Sequence, residues 1–178
     1  MIQLRRITDS RNAVYGSMET LMRDAFPPEE QRSAELQRRN VDNCNIFHCN
    51  AIELDNQFVG LLNYWDLGDL VYVEHFATLS ERRGSGIGRE ALALLRRLTA
   101  LPIILEVELP TDELTRRRIR FYERCGFRLC HDFDYRQPPY DHRTAEIPMF
   151  LMINGEYQLT ADSLRCAARL IYEAVYAW

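Results

Sequence analysis

The residues of this chain best suited to chemistry are the run Arg83-Gly84-Ser85-Gly86-Ile87-Gly88-Arg89. Its glycines permit positive φ and keep Cβ atoms away from anything that approaches the backbone. Its arginines suit a phosphate or pyrophosphate. A strand-like run, residues 70–78, precedes it. A helical pattern follows, with Ile87, Ala91, Leu94 and Leu98 expected on one face. Strand, glycine turn and helix together aim backbone N–H groups at a helix N-terminus, which is an anion site. The chain is therefore expected to hold a phosphate-bearing ligand.

Spacing separates the ligand classes that use such a turn. A nucleoside-triphosphate loop ends in Gly-Lys-Ser/Thr. All 22 Lys+Arg residues here are arginine, which excludes that lysine and any Schiff-base lysine. A dinucleotide fold needs G-x-G-x-x-G directly after its strand. Here the third glycine comes one residue early and Arg89 takes its place. Glu106, on a second strand-like run, stands where a ribose-binding acid would, but acids near strand ends are common. The run from Arg83 to Gly88 instead fits Arg/Gln-x-x-Gly-x-Gly/Ala. A second segment, Arg120-Phe121-Tyr122-Glu123-Arg124-Cys125-Gly126-Phe127, follows after a helix, a strand and a helix. In order and separation the two resemble the acyl-CoA loop and the "FYE-x-x-GF" segment of the GNAT N-acetyltransferase superfamily. The resemblance is clear over residues 70–135 and extends more loosely over 1–153.

The resemblance implies a mixed α+β fold: a strongly twisted mixed sheet of about seven strands flanked by helices. That domain would be residues 1–153, with 154–178 as a C-terminal helical extension of it. It implies acetyl-CoA as cofactor and an acyltransferase that moves an acetyl group to a primary amine by direct attack in a ternary complex. The backbone of Phe76, Ala77 and Thr78 would meet the pantetheine. Arg83, Gly84, Ser85, Gly86, Ile87, Gly88 and Arg89 would hold the pyrophosphate. Thr115 stands where the family often carries a cofactor-binding asparagine, a departure from the pattern. Tyr122 would protonate the departing thiolate. The alternatives are a non-catalytic acyl-CoA-binding module, which would not need Tyr122, and a dinucleotide-dependent oxidoreductase.

A base must take a proton from the amine. Glu74, before the loop, and Glu106, on the next strand-like run, are the candidates, each able to act if burial raises its pKa. Water competes with both. Alternation should send Glu74 and His75 to opposite faces, and likewise separate His48 from Cys49 and Cys130 from His131, so no Cys–His nucleophile is expected. The acids Glu74, Glu106, Glu108, Asp132 and Asp134 would suit a cationic acceptor, a small molecule or a peptide N-terminus.

The whole chain bounds these readings. At 178 residues it is expected to be one domain. A net charge of −4 and a pI near 5.6 argue against nucleic acid as the main partner. No apolar run is long enough to span a bilayer, and the chain opens on a strand-like segment without a signal peptide. Five cysteines without metal-finger spacing suggest no metal and a reducing cytoplasm. A homodimer is compatible with all of this. Strands are expected at 2–7, 46–54, 57–65, 102–108, 127–135 and 145–153, with Asp55-Asn56 as a hairpin turn. A helix capped by Asp9 or Ser10 should carry Val14, Met18, Leu21 and Met22. The prolines at 27 and 28 should break it and open a second helix to 39. Helices capped by Thr111 or Asp112, and over 161–177, complete the pattern.

Overall fold

The computed structural model describes residues 1–140 and 145–176. Its elements are β1 (Ile2–Ile7), α1 (Ala13–Ala25), α2 (Ala34–Asn43), β2 (Phe47–Leu54), β3 (Gln57–Asp66), β4 (Val71–Thr78), α3 (Ile87–Leu98), β5 (Ile103–Glu108), α4 (Glu113–Arg124), β6 (Arg128–Gln137), β7 (Ile147–Asn154) and α5 (Ala161–Ile171). This is the expected mixed α+β order. The strands form one seven-stranded sheet, ordered β1-β2-β3-β4-β5-β7-β6. No described helix is long and apolar enough to cross a membrane.

The chain divides into two compact units. One holds Met1–Asp66 with Val73–Thr99; the other holds Leu67–Tyr72 and the chain from Ala100 onward, including the expected C-terminal extension. In the first, β1 pairs antiparallel with β2, and β2 with β3. Asp55 and Asn56 turn the β2–β3 hairpin with φ of 51° and 63°, the left-handed values such a two-residue turn requires. Helix α1 buries Tyr15, Met18, Leu21 and Met22, so Tyr15 replaces the expected Val14. Its cap is Asn12, whose side chain accepts from Val14 N at 3.0 Å. The expected caps are engaged elsewhere: Asp9 pairs with Arg11 and Ser10 with Asp42. Pro28–Glu30 is a single 3-10 turn, and α2 starts only after Ser33, which caps it. Helix α3 buries Ile87, Ala91, Leu92 and Leu95. Leu98, expected on that face, is 68% exposed, because the last turn of the helix runs out into solvent.

In the second unit, β7 lies between β5 and β6, antiparallel to both. Helix α4 has a capping box in which Asp112 and Thr115 bond each other's backbone. It closes at Gly126, φ 86°. Strand β6 carries a large bulge. Cys130 pairs with Leu151 and Tyr135 with Met149, so five steps on β6 answer two on β7, three residues in excess. Helix α5 buries Leu164, Ala167, Ala168 and Ile171. The expected single helix then widens into a π-turn over Tyr172–Tyr176.

Candidate active site

In the first unit the glycine run lies between a 3-10 turn, Ser80–Arg82, and α3. Gly84 and Gly86 take φ of 79° and 85°, and Gly86 is the N-cap of the helix. That conformation costs an L-residue about 1–2 kcal/mol, which is why glycine stands there. Arg82 and Arg83 N–H groups close the 3-10 turn, the Ser85 hydroxyl donates to Arg82 O at 2.6 Å, and Glu90 N–H is the first to bond back into the helix. Among the described residues, the backbone N–H groups of residues 84–89 give no hydrogen bond to protein. Helix starts leave such donors unsatisfied, and their dipole favours an anion. A Cβ at Gly84 or Gly86 would meet nothing within 4 Å, so the space beside these donors is open. Arg83 and Arg89 are exposed on either side. The arrangement fits a pyrophosphate.

Phe76, Ala77 and Thr78 form the half-buried end of β4. Sequence reasoning passed over what fixes them. A Cβ at Gly60 would lie 2.5 Å from Ala77 O and 3.1 Å from Thr78 Cα, so β3 reaches this end of β4 only because residue 60 has no side chain. A glycine inside a strand is itself the signal for such an approach.

The expectation for Glu74 is corrected in two respects. Its carboxylate is wholly buried, yet its pKa falls rather than rises. Burial pushes it up, but the Arg32 guanidinium and the neighbouring His75 outweigh that and hold it well below the usual carboxylate range. Arg32 Nη1 donates to Oε2 at 3.0 Å, Nη2 donates to Oε1, and Trp65 Nε1 donates to Oε2 at 2.9 Å. Arg32 also donates to Gln37 at 2.8 Å and lies 5.4 Å over the Trp65 ring. Nor do Glu74 and His75 part company. His75 Nδ1 stays 3.6 Å from Glu74 Oε2, because both side chains serve the α1–α2 connection. His75 Nε2 donates to Glu30 O at 2.9 Å, and its ring meets Phe26 edge-on.

In the second unit Tyr122 lies on the buried face of α4 with Thr115 and Ile119. Its ring packs edge-on against Phe121 and Phe127, with centroids 5.2 and 5.7 Å away. Burial pushes its phenol up to about 12, so the O–H is retained at neutral pH. The Thr115 hydroxyl is engaged in the capping box, bonding Asp112 N and Oδ1 at 3.1 Å each. It is thus occupied where a cofactor contact was expected. Glu106 is half-buried and ringed by phenols. Tyr135 donates to Oε1, and the Tyr176 oxygen lies 3.3 and 3.2 Å from the two carboxylate oxygens. Neither tyrosine was singled out from the sequence. Glu108, the other acid of β5, pairs with Arg118.

All five cysteines are free. Burial raises the Cys49 thiol to about 12 and Cys130 to about 11, so neither forms a thiolate at neutral pH. His48 stacks on Tyr64, centroids 4.5 Å apart, and His131 meets Phe150 edge-on.

Comparison with known proteins agrees with this geometry. The model of the acetyltransferase (GNAT) family matches residues 14–127. YjbC of Bacillus subtilis (strain 168), described as an acetyltransferase, is 30% identical over 116 residues, which are 63% of this chain and 57% of that protein. The chain therefore spans little more than half the length of this relative. A solved structure from Bacteroides thetaiotaomicron, described as a GNAT-family acetyltransferase, is 39% identical with a TM-score of 0.91, covering 98% of both chains. An aminoglycoside 6'-N-acetyltransferase complexed with coenzyme A shares the fold, with a TM-score of 0.62 at 16% identity over 86% of this chain and 96% of that one. The chain that carries the glycine run and the Tyr122 segment belongs to the acetyltransferase (GNAT) family.

Proposed function

We propose that the protein transfers an acetyl group from acetyl-CoA to a primary amine, by direct attack while both are bound. The observation that carries this reading is the row of unengaged N–H groups over residues 84–89, set in left-handed glycines with open space beside them. Arg83 and Arg89 add charge to it, and the backbone of Phe76, Ala77 and Thr78 is the reading's pantetheine contact. We place no contact on the Thr115 side chain, since its hydroxyl caps α4.

Acetyl-CoA supplies the activated acetyl thioester. The chain's own groups handle the protons. An ammonium carries three N–H protons and the amide product one, so two leave the nitrogen. Tyr122, protonated at neutral pH, donates its proton to the departing thiolate, and one of the two protons leaving the nitrogen restores its phenol. Glu106 is the better proton acceptor of the two carboxylates, directly or through water, and passes the other to solvent. Glu74 is sealed against Arg32 and Trp65 and is poorly suited to that role. The free, buried thiols support a route without an acyl-enzyme, and fit a reducing compartment such as the cytoplasm.

The fold's other members include an enzyme acting on aminoglycosides and one bound to a peptide-like bisubstrate analogue. The acceptor here is accordingly a small-molecule or peptide amine. Calorimetric titration with acetyl-CoA, followed by a screen of amines that reads thiol release, tests the proposal. Micromolar binding and amine-dependent thiol release are expected; a protein that does not bind acetyl-CoA would end it.

A further inference from the structure

Strand β4 shows solvent its main chain. Glu74 is half-buried as a residue, yet its side chain is 0% exposed, so what solvent reaches there is backbone. Phe76, Ala77 and Thr78, which follow, are half-buried. A strand that meets its ligand through backbone leaves its side chains for another task, which is to hold that backbone in place.

The holding groups are Glu74 and His75, and both reach the connection between α1 and α2, residues 26–33. Arg32 and Trp65 donate to the Glu74 carboxylate. His75 is buried, with its ring centroid 4.8 Å from that of Phe26 and its Nε2 2.9 Å from Glu30 O. A carbonyl only accepts, so Nε2 carries a proton. Gln31 Nε2 donates to Phe26 O at 2.6 Å and ties the connection to itself. Beyond the strand's other end, Leu79 N–H donates to Val59 O at 2.9 Å, next to the close approach at Gly60. Phe76, Ala77 and Thr78 thus lie between two sets of fastenings, all within the first unit.

Packing alone does not call for an imidazole. A buried polar ring costs free energy unless it is hydrogen-bonded, and an apolar side chain would escape that cost. What the imidazole adds is direction, since a hydrogen bond fixes the distance and angle between β4 and the Glu30 carbonyl. Backbone contacts to a bound reactant demand such precision: a displacement of about 1 Å can cost roughly a hundredfold.

We propose that His75 is a positioning residue for acetyl transfer: its bond to Glu30 O fixes the strand whose main chain meets acetyl-CoA, so that the α1–α2 connection and the bound cofactor stabilise each other. The proposal rests on the acetyl-transfer reading. Coupling of this kind is reciprocal, so it can be measured from either side.

Hydrogen–deuterium exchange of the wild-type protein, with and without saturating acetyl-CoA, reads one side. Exchange of the peptide covering residues 26–33 should slow by about threefold or more on binding. Calorimetric titration of two variants reads the other. His75→Leu removes the donor and should weaken acetyl-CoA binding by about tenfold or more. His75→Gln can place an N–H close to the position of Nε2 and should restore most of that affinity. A residue that only filled space would give the reverse order or none. Acetyl-CoA binding with unchanged exchange over 26–33 in the wild-type protein would overturn the proposal, whether or not the variants fold. Wild-type affinity in folded His75→Leu, or a folded His75→Gln no better than His75→Leu, would overturn it too. In each of these cases acetyl transfer stands. A wild-type protein that ignores acetyl-CoA removes acetyl transfer itself, and the role of His75 with it.

Discussion

Burial shapes Tyr122, the proton donor of the proposed mechanism. Its phenol, at about 12, lies roughly 3.5 units above an ordinary thiol, so complete transfer to a thiolate in water would be uphill by ~5 kcal/mol. A thiolate desolvated in the same surroundings is a stronger base, which narrows that gap. The hydroxyl can also stabilise the leaving sulfur by hydrogen bonding before transfer is complete. On the proposed mechanism the function resides in the O–H, while the ring packs against Phe121 and Phe127. Tyr122→Phe should therefore lower kcat by about ten- to ten-thousand-fold while the melting temperature and acetyl-CoA affinity change little. Steady-state kinetics with chemistry rate-limiting checks this. An unchanged kcat would make Tyr122 a packing residue. Glu106 and Glu74 differ in their described neighbours: the Tyr135 and Tyr176 hydroxyls lie beside Glu106, whereas Glu74 is sealed against Arg32 and Trp65.

At the scale of elements, two local features shape the first unit. Gly60 lets β3 press against Ala77 and Thr78. Gly60→Ala would force that end of β4 to shift, and should raise the acetyl-CoA KM while leaving the acceptor KM nearly unchanged. The α1–α2 connection is pinned by Arg32–Glu74, whose side chains are both 0% exposed. Removing one partner strands a buried charge, so Arg32→Met should cost about 3–5 kcal/mol in chemical denaturation. Because the folded pKa of Glu74 lies below its unfolded value, the pair's contribution is present above about pH 4.3 and is lost as pH falls below it. Melting temperatures of wild-type and Arg32→Met protein should accordingly converge as pH is lowered from 6 towards 3. The glycine run and the Tyr122 segment could be read as family motifs in the sequence because each is built from consecutive residues. Arg32–Glu74 was not, since 42 residues separate partners whose pairing only tertiary packing decides. The same holds for the bulge that brings Tyr135 to Glu106: alternation reads strands well only where no residue is added. The α1 cap failed more locally, Asp9 being taken up by Arg11.

The molecule as a whole sorts its reactive groups by protonation state. Its phenols and buried thiols are held neutral by desolvation, and its buried or half-buried carboxylates are surrounded by donors. A covalent relay would need the opposite: a thiol lowered towards neutrality by a cation or helix start. The thiols of Cys49 and Cys130 are raised, and neither His48 nor His131 serves them as a partner, since His48 stacks on Tyr64 and His131 meets Phe150 edge-on. On the proposed reading, holding acceptor and donor together replaces the relay, because positioning alone lowers the barrier for a bound nucleophile by several kcal/mol. Initial rates against acetyl-CoA at several acceptor concentrations should thus give intersecting double-reciprocal lines. Mass spectrometry of protein incubated with acetyl-CoA alone should find no acetylated cysteine, and simultaneous replacement of Cys49 and Cys130 by Ala should alter stability more than turnover. Parallel lines together with a trapped acetyl-cysteine would require an activated thiol that the geometry of these two buried cysteines does not provide.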